Sequence, residues 1–198
     1  MAIAIRLVSV VILISVLVSP SWAAEAAAAA GSLEIGGSMT FERRDGEFYE
    51  DAEANAETRI EIMPRVAYFV ARGLSLGIVF EYAKQGFDAG DDETQFGIGP
   101  SVAYYLGSGE RAILPFAHAA ILYQKYTSIG DITGRSFHLE GGIVAMVGAK
   151  LGVKLAVFYK NDSFDVEIIP DDPFEDTRTE SVSGGRLGFT AGLTGFLF

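Results

Sequence analysis

Between Leu33 and Phe41 the apolar side chains Leu33, Ile35, Met39 and Phe41 fall on odd positions, and Glu34, Ser38 and Thr40 on even ones. Side chains of a strand alternate between its faces, so this period predicts a strand with one greasy and one polar surface. The alternation returns along the chain. Ile60, Ile62, Val66, Tyr68 and Val70 oppose Arg59, Glu61 and Arg65, and Leu74, Leu76, Ile78, Phe80 and Tyr82 oppose Ser75, Glu81 and Ala83. Phe96, Ile98, Val102, Tyr104 and Leu106 oppose Gln95, Ser101, Ala103 and Tyr105. A fifth run, from Ala112 to Tyr126, is apolar on both faces, with Ile113, Ile121 and Tyr123 read as outward and Phe116, His118, Leu122 and Gln124 as inward. Phe137, Leu139, Ile143 and Val147 then oppose Ser136, His138 and Glu140, and Val153, Leu155, Val157 and Tyr159 oppose Lys154, Phe158 and Lys160. The last run, Gly184 to Phe198, sets Leu187, Phe189 and Leu193 against Arg186 and Thr190.

These eight runs cover about 10 to 15 residues each, against roughly 5 or 6 for a globular strand and about 9 to 11 for a tilted strand that crosses a bilayer. The connections read as long ones at 45–57, 86–93, 127–135 and 162–183, alternating with short ones at 71–73, 107–111 and 149–151. Strict alternation of long loops and tight turns is the pattern of an all-β, eight-stranded antiparallel up-and-down transmembrane β-barrel, with the loops outside and both termini on the periplasmic side. The outward aromatics fall at two heights: Phe41, Tyr82, Phe96, Tyr123, Phe137 and Tyr159 near the loop ends, and Tyr68, Tyr104 and Phe198 near the turn ends. Girdles at both interfaces are expected of a membrane barrel.

Composition narrows the picture further. The 198 residues are 49% hydrophobic and 12% aromatic, too apolar for a disordered chain, and the net charge of −11 excludes the basic face that nucleic acid requires. With no cysteine there are no disulfides and no thiolate metal sites. Residues 1–23 carry one positive charge at Arg6, an apolar stretch from Leu7 to Val18 and small residues at Ser21 and Ala23, which reads as a cleaved signal peptide. Residues 24–32 read as a flexible Ala-rich lead-in, and 33–198 as the barrel. Most acids sit in the long loops, so the negative charge belongs to one end of the molecule.

The runs TRIEIMPRVAYFVARGLSLGIVFEY, TQFGIGPSVAYYL and ILPFAHAAILY, with the terminal GFLF, resemble the small outer-membrane β-barrel proteins of the OmpA-transmembrane-domain, OmpX and opacity-protein type. The resemblance covers nearly the whole mature chain and specifies fold rather than activity. It implies the outer membrane of a Gram-negative bacterium, with outer-membrane lipids, lipopolysaccharide and the assembly machinery as partners. Phe196 and Phe198 would be the assembly signal. Relatives often carry a carboxylate in the fifth strand where this chain has His118. The outward phase of Leu187 to Leu193 is odd while Phe196 and Phe198 are even, which predicts a β-bulge near Gly195 that returns both rings to lipid.

Candidate chemistry lies in the lumen and the loops. Glu34, Arg59, Glu61, Arg65, Glu81, His118, His138, Glu140, Lys154, Lys160 and Arg186 point inward, and an eight-stranded barrel is just wide enough to be filled by its own side chains. Buried charges must pair, so a salt-bridged plug is expected, with a narrow or gated ion path as the alternative. Ser136, His138 and Glu140 share one face in the order nucleophile, base and orienter, which resembles the outer-membrane lipid A deacylases. They point inward, however, while a lipid lies outside. No enzyme activity, cofactor or metal is expected. The acid groups Asp88, Asp91, Asp92, Glu93 and Asp171, Asp172, Glu175, Asp176 could hold divalent cations or an extracellular ligand, without the spacing of a calcium loop. A secreted lipocalin-like barrel would have its apolar face inward, but the only tryptophan, Trp22, lies in the signal.

Overall fold

The computed structural model of the chain describes residues 28–44, 57–87, 93–106, 112–127, 131–168 and 178–198. Eight strands follow one another: β1 Leu33–Arg44, β2 Glu57–Ala71, β3 Leu74–Phe87, β4 Glu93–Tyr105, β5 Ile113–Thr127, β6 Asp131–Met146, β7 Leu151–Ile168 and β8 Arg178–Leu197. Each pairs antiparallel with its sequence neighbour, and β8 returns to β1, so the sheet closes into an up-and-down barrel without an edge. The closing seam is the shortest pairing, with Leu33–Met39 of β1 against Ala191–Leu197 of β8. There the backbones come so close that a Cβ on Gly192 would sit 2.0 Å from the Gly37 carbonyl oxygen.

The inside-outside assignment read from the alternation holds in every strand up to Leu193. Ile60, Ile78, Ile98, Tyr123, Leu139, Val157 and Phe189 are exposed on the outer wall, while Glu61, Arg65, Glu81, Gln95, Gln124, His138 and Lys160 are buried in the lumen. The two-residue turn between β2 and β3 requires Gly73, whose φ of +76° is a conformation that side chains with a Cβ rarely adopt.

Four features differ from the sequence reading. The long connections are shorter than expected, because paired polar strand continues past the apolar band. β6 starts at Asp131, and β7 and β8 stay in register from Asp162↔Gly184 out to Ile168↔Arg178. Backbone pairing does not need an apolar face, so hydrophobic alternation alone underestimates a strand that continues into water. As a result the connection at 106–112 is longer than those at 88–92 and 128–130, and the strict alternation of lengths is lost. Second, no bulge interrupts β8 near Gly195: its pairing with both β1 and β7 runs without a shift. Phe196 therefore keeps the inward phase and is fully buried, and only Phe198 faces out. The register shift lies instead between Phe69 and Ala71 of β2. Third, the described part of the lead-in is tied down: Ala28 is buried, the Gly31 N–H donates to the Phe69 carbonyl at 2.9 Å, and the Gly73 N–H to the Ala28 carbonyl at 2.8 Å. Fourth, Asp162, read as loop, belongs to β7. The signal segment 1–23 and the acid groups Asp88, Asp91, Asp92 and Asp171, Asp172, Glu175, Asp176 lie outside the described residues.

Candidate functional site

The lumen is layered. At the end where the termini lie, Phe69, Tyr105, Phe116 and Phe196 form a floor with Leu114, Val144, Met146 and Ala28. The ring centroids of Phe69 and Tyr105 are 5.5 Å apart and those of Tyr105 and Phe196 6.1 Å, the latter edge-on, which suits the ring quadrupoles. Immediately above, Arg65 pairs with Glu34 and donates to Ser75 Oγ at 2.9 Å and Ser101 Oγ at 3.0 Å. The Tyr105 hydroxyl, rooted in the floor, donates to the other oxygen of Glu34 at 2.7 Å.

At the loop end a larger network spans the lumen. Glu61 accepts from Arg59 at 3.2 Å, from Lys160 at 3.3 Å and from Arg186. Lys160 also pairs with Glu81, and its Nζ lies 3.7 Å from Asp162. Gln124 donates to Glu81 at 2.8 Å and to Asp162 at 3.1 Å, and Gln95 accepts from Arg59 at 2.8 Å. Strands β2, β3, β4, β5, β7 and β8 are thus tied across the lumen. Above this network a cavity of about 300 Å³ opens between Arg59, Gln85, Asp162, Phe164 and Arg186.

Between the two networks lie an apolar patch of Met63, Val79, Ala120 and Leu122, and a third polar group. The register of β5 on β6 sets His118 opposite Glu140 and Ala120 opposite His138, which brings both histidines against one carboxylate. His118 Nδ1 lies 3.3 Å from Glu140 Oε2, and Lys154 Nζ donates to the same oxygen at 2.9 Å. His138 stacks on Phe158 with centroids 5.7 Å apart and is 5.7 Å from the His118 ring. Ser136, His138 and Glu140 do point inward and are buried, but Glu140 is engaged by His118 and Lys154. The nucleophile-base-orienter relay read from the sequence is not assembled. Ser136 Oγ, His138 Nδ1, both ring nitrogens of His118 and Glu140 Oε1 are buried without a hydrogen-bond partner among the described residues. Each such atom left unsatisfied costs about 1–3 kcal/mol.

All eleven lumen residues singled out from the sequence point inward, in three groups. The sequence reading left five cations facing four acids. Among the ion pairs of the described residues Asp162 joins the acids, so that Glu34, Glu61, Glu81, Glu140 and Asp162 meet Arg59, Arg65, Lys154, Lys160 and Arg186. Desolvated charges need partners. The cation left over in the sequence reading was the signal that could have found this acid. Ser75, Ser101 and Tyr105 were legible only as inward positions, since their roles depend on which strand lies opposite.

No protein-family model matches the chain, and no curated protein matches its sequence. Among solved structures, the barrel is similar to Neisserial surface protein A, with a TM-score of 0.55 at 11% identity over 84% of this chain and 97% of that one. It is also similar to the N-terminal β-barrel domain of Pseudomonas aeruginosa OprF, with a TM-score of 0.52 at 11% identity over 85% of this chain and 98% of that one. The fold is that of the small outer-membrane barrels. At such identity the likeness concerns the backbone. The lumen networks of this barrel are described by its own residues.

Proposed function

We propose that the mature chain is an integral barrel of a Gram-negative outer membrane, closed by its own side chains, whose role is structural or surface-interactive rather than enzymatic. The observation that carries this reading is the inversion of the molecule. Isoleucine, leucine, phenylalanine and tyrosine cover the outer wall, while among the described residues five ion-pairing carboxylates and five cations are inside. Monomeric soluble proteins rarely expose contiguous apolar patches beyond a few hundred Å², so the wall needs lipid. The aromatic floor and the ionic layer both lie across the lumen among the described residues, which supports a plug over a porin.

The partners follow from the same surfaces. Lipid chains and lipopolysaccharide meet the outer wall, and the carboxylates of the acid-rich sequences that join β1 to β2, β3 to β4 and β7 to β8 are offered to a ligand or to divalent cations on anionic lipid. Phe198, outward at the rim, is the aromatic presented to the assembly machinery, whereas Phe196 serves the floor. The test is the barrel reconstituted in planar bilayers, together with cells whose segments 45–56 and 169–177 are replaced by short turns. The expected result is no sustained conductance, with loop-dependent surface binding or barrier integrity lost in cells while the barrel still inserts. Steady conductance would replace the plug by a porin.

A further inference from the structure

The three-residue group in the middle of the lumen has the donor set and the convergence of a metal centre. We propose that His118, His138 and Glu140 bind one borderline first-row divalent metal ion, with Zn²⁺ as the representative. Their ligand atoms all lie within 4.8 Å of one another, and all three residues are buried, at 6%, 3% and 5% exposure. A tetrahedral ion with bonds of about 2.1 Å places its ligands about 3.4 Å apart. The present separations, all within 4.8 Å, close to that figure by small rotations of the two imidazoles and of the carboxylate, which turns Oε1 toward the ion.

The pattern of satisfied and unsatisfied atoms agrees. Lys154 donates to Glu140 Oε2, which fixes the carboxylate, and leaves Oε1 without a partner. His138 Nδ1 and both ring nitrogens of His118 are likewise without a hydrogen-bond partner, and so is Ser136 Oγ, buried on the same face of β6. Orienting one oxygen with an outer cation while the other faces the ion is a common way to hold a ligating carboxylate. Two imidazoles and a carboxylate select zinc, nickel, cobalt or copper over calcium and magnesium, which take oxygen ligands. The chain has two histidines in 198 residues, and both are here. Since the ligands come from the β5–β6 hairpin, the ion pins that hairpin across its middle. This inference needs only the barrel fold and does not depend on where the barrel resides.

The test uses the full mature barrel, purified through a tag without histidine and refolded in detergent with Zn²⁺, then freed of excess metal and measured for bound zinc. One Zn²⁺ per chain is expected, and stoichiometric uptake is lost in His118→Ala, His138→Ala and Glu140→Gln. Replacing Asp88, Asp91 and Asp92 by Asn leaves uptake unchanged, which separates the lumen site from loop carboxylates. A second measurement needs no variant. Loaded with Cu²⁺, the wild-type barrel gives an electron paramagnetic spectrum with nitrogen couplings from two imidazoles, which only these two histidines supply. Folding of each variant is checked by its heat-dependent gel mobility. Absence of stoichiometric zinc, uptake indifferent to both histidine variants, or a copper spectrum without nitrogen coupling overturns the proposal and leaves water as the partner of these atoms.

Discussion

At the end of the barrel that holds the termini, Phe69, Tyr105, Phe116 and Phe196 pack ring against ring across the lumen. At the loop end Arg59, Glu61, Glu81, Lys160, Asp162 and Arg186 are joined across it by charge. The two layers fail differently. An apolar floor loses contact area in proportion to what is removed, and neighbours relax into part of the gap. An ionic layer is worth keeping only when complete, because deleting one member leaves its partners charged, buried and unpaired. Strand β4 carries both modes, with Gln95 in the upper network and Tyr105 joining the floor to the Glu34–Arg65 pair above it.

The sharpest way to break the comparison is Glu61→Gln, which leaves Arg59, Lys160 and Arg186 with Glu81 and Asp162 only. We expect a loss of about 4 kcal/mol, the range for a buried pair that loses one partner, measured by urea unfolding in lipid vesicles. Phe69→Ala removes a ring that packs on both Tyr105 and Phe196 and should cost about 3 kcal/mol. If the floor variant proves the costlier of the two, the ionic layer is not the principal tie. Ile98→Arg, on the outer wall near the middle of β4, should cost about 2–3 kcal/mol in vesicles, as a charge facing the bilayer midplane does. An indifferent result would mean that this wall does not meet lipid. The mildest change is Tyr105→Phe, which deletes the 2.7 Å bond to Glu34 but keeps the ring. A loss of about 1.5 kcal/mol is expected, the usual figure for a bond to a charged group.

The outer wall was legible in the sequence because side-chain period and burial are the same fact in a strand: Ile60, Ile62, Val66 and Tyr68 needed no partner to be assigned outward. What depended on a partner was not legible. His118 and His138 meet because β5 pairs with β6 in one register, and a shift of two residues would part them while leaving every alternation intact. Asp162 was hidden because polar residues on both faces look like a loop. Phe196 was misread because two aromatics two apart at the chain end suggested a bulge that would turn both toward lipid. The continuous ladder shows instead that Phe196 completes the floor, a role visible only once Phe69 and Tyr105 are placed beside it.

The measurement that bears most directly on an inverted barrel, apolar outside and charged within, is the gel mobility of the mature chain refolded in detergent, run with and without boiling in SDS. The account predicts a heat-dependent shift, with the unboiled protein recovered in the membrane fraction of cells. A chain that fractionates as soluble and runs at one position whether or not it is boiled would contradict it, because the wall of Ile78, Ile98, Leu139 and Phe189 would then have no lipid to cover it.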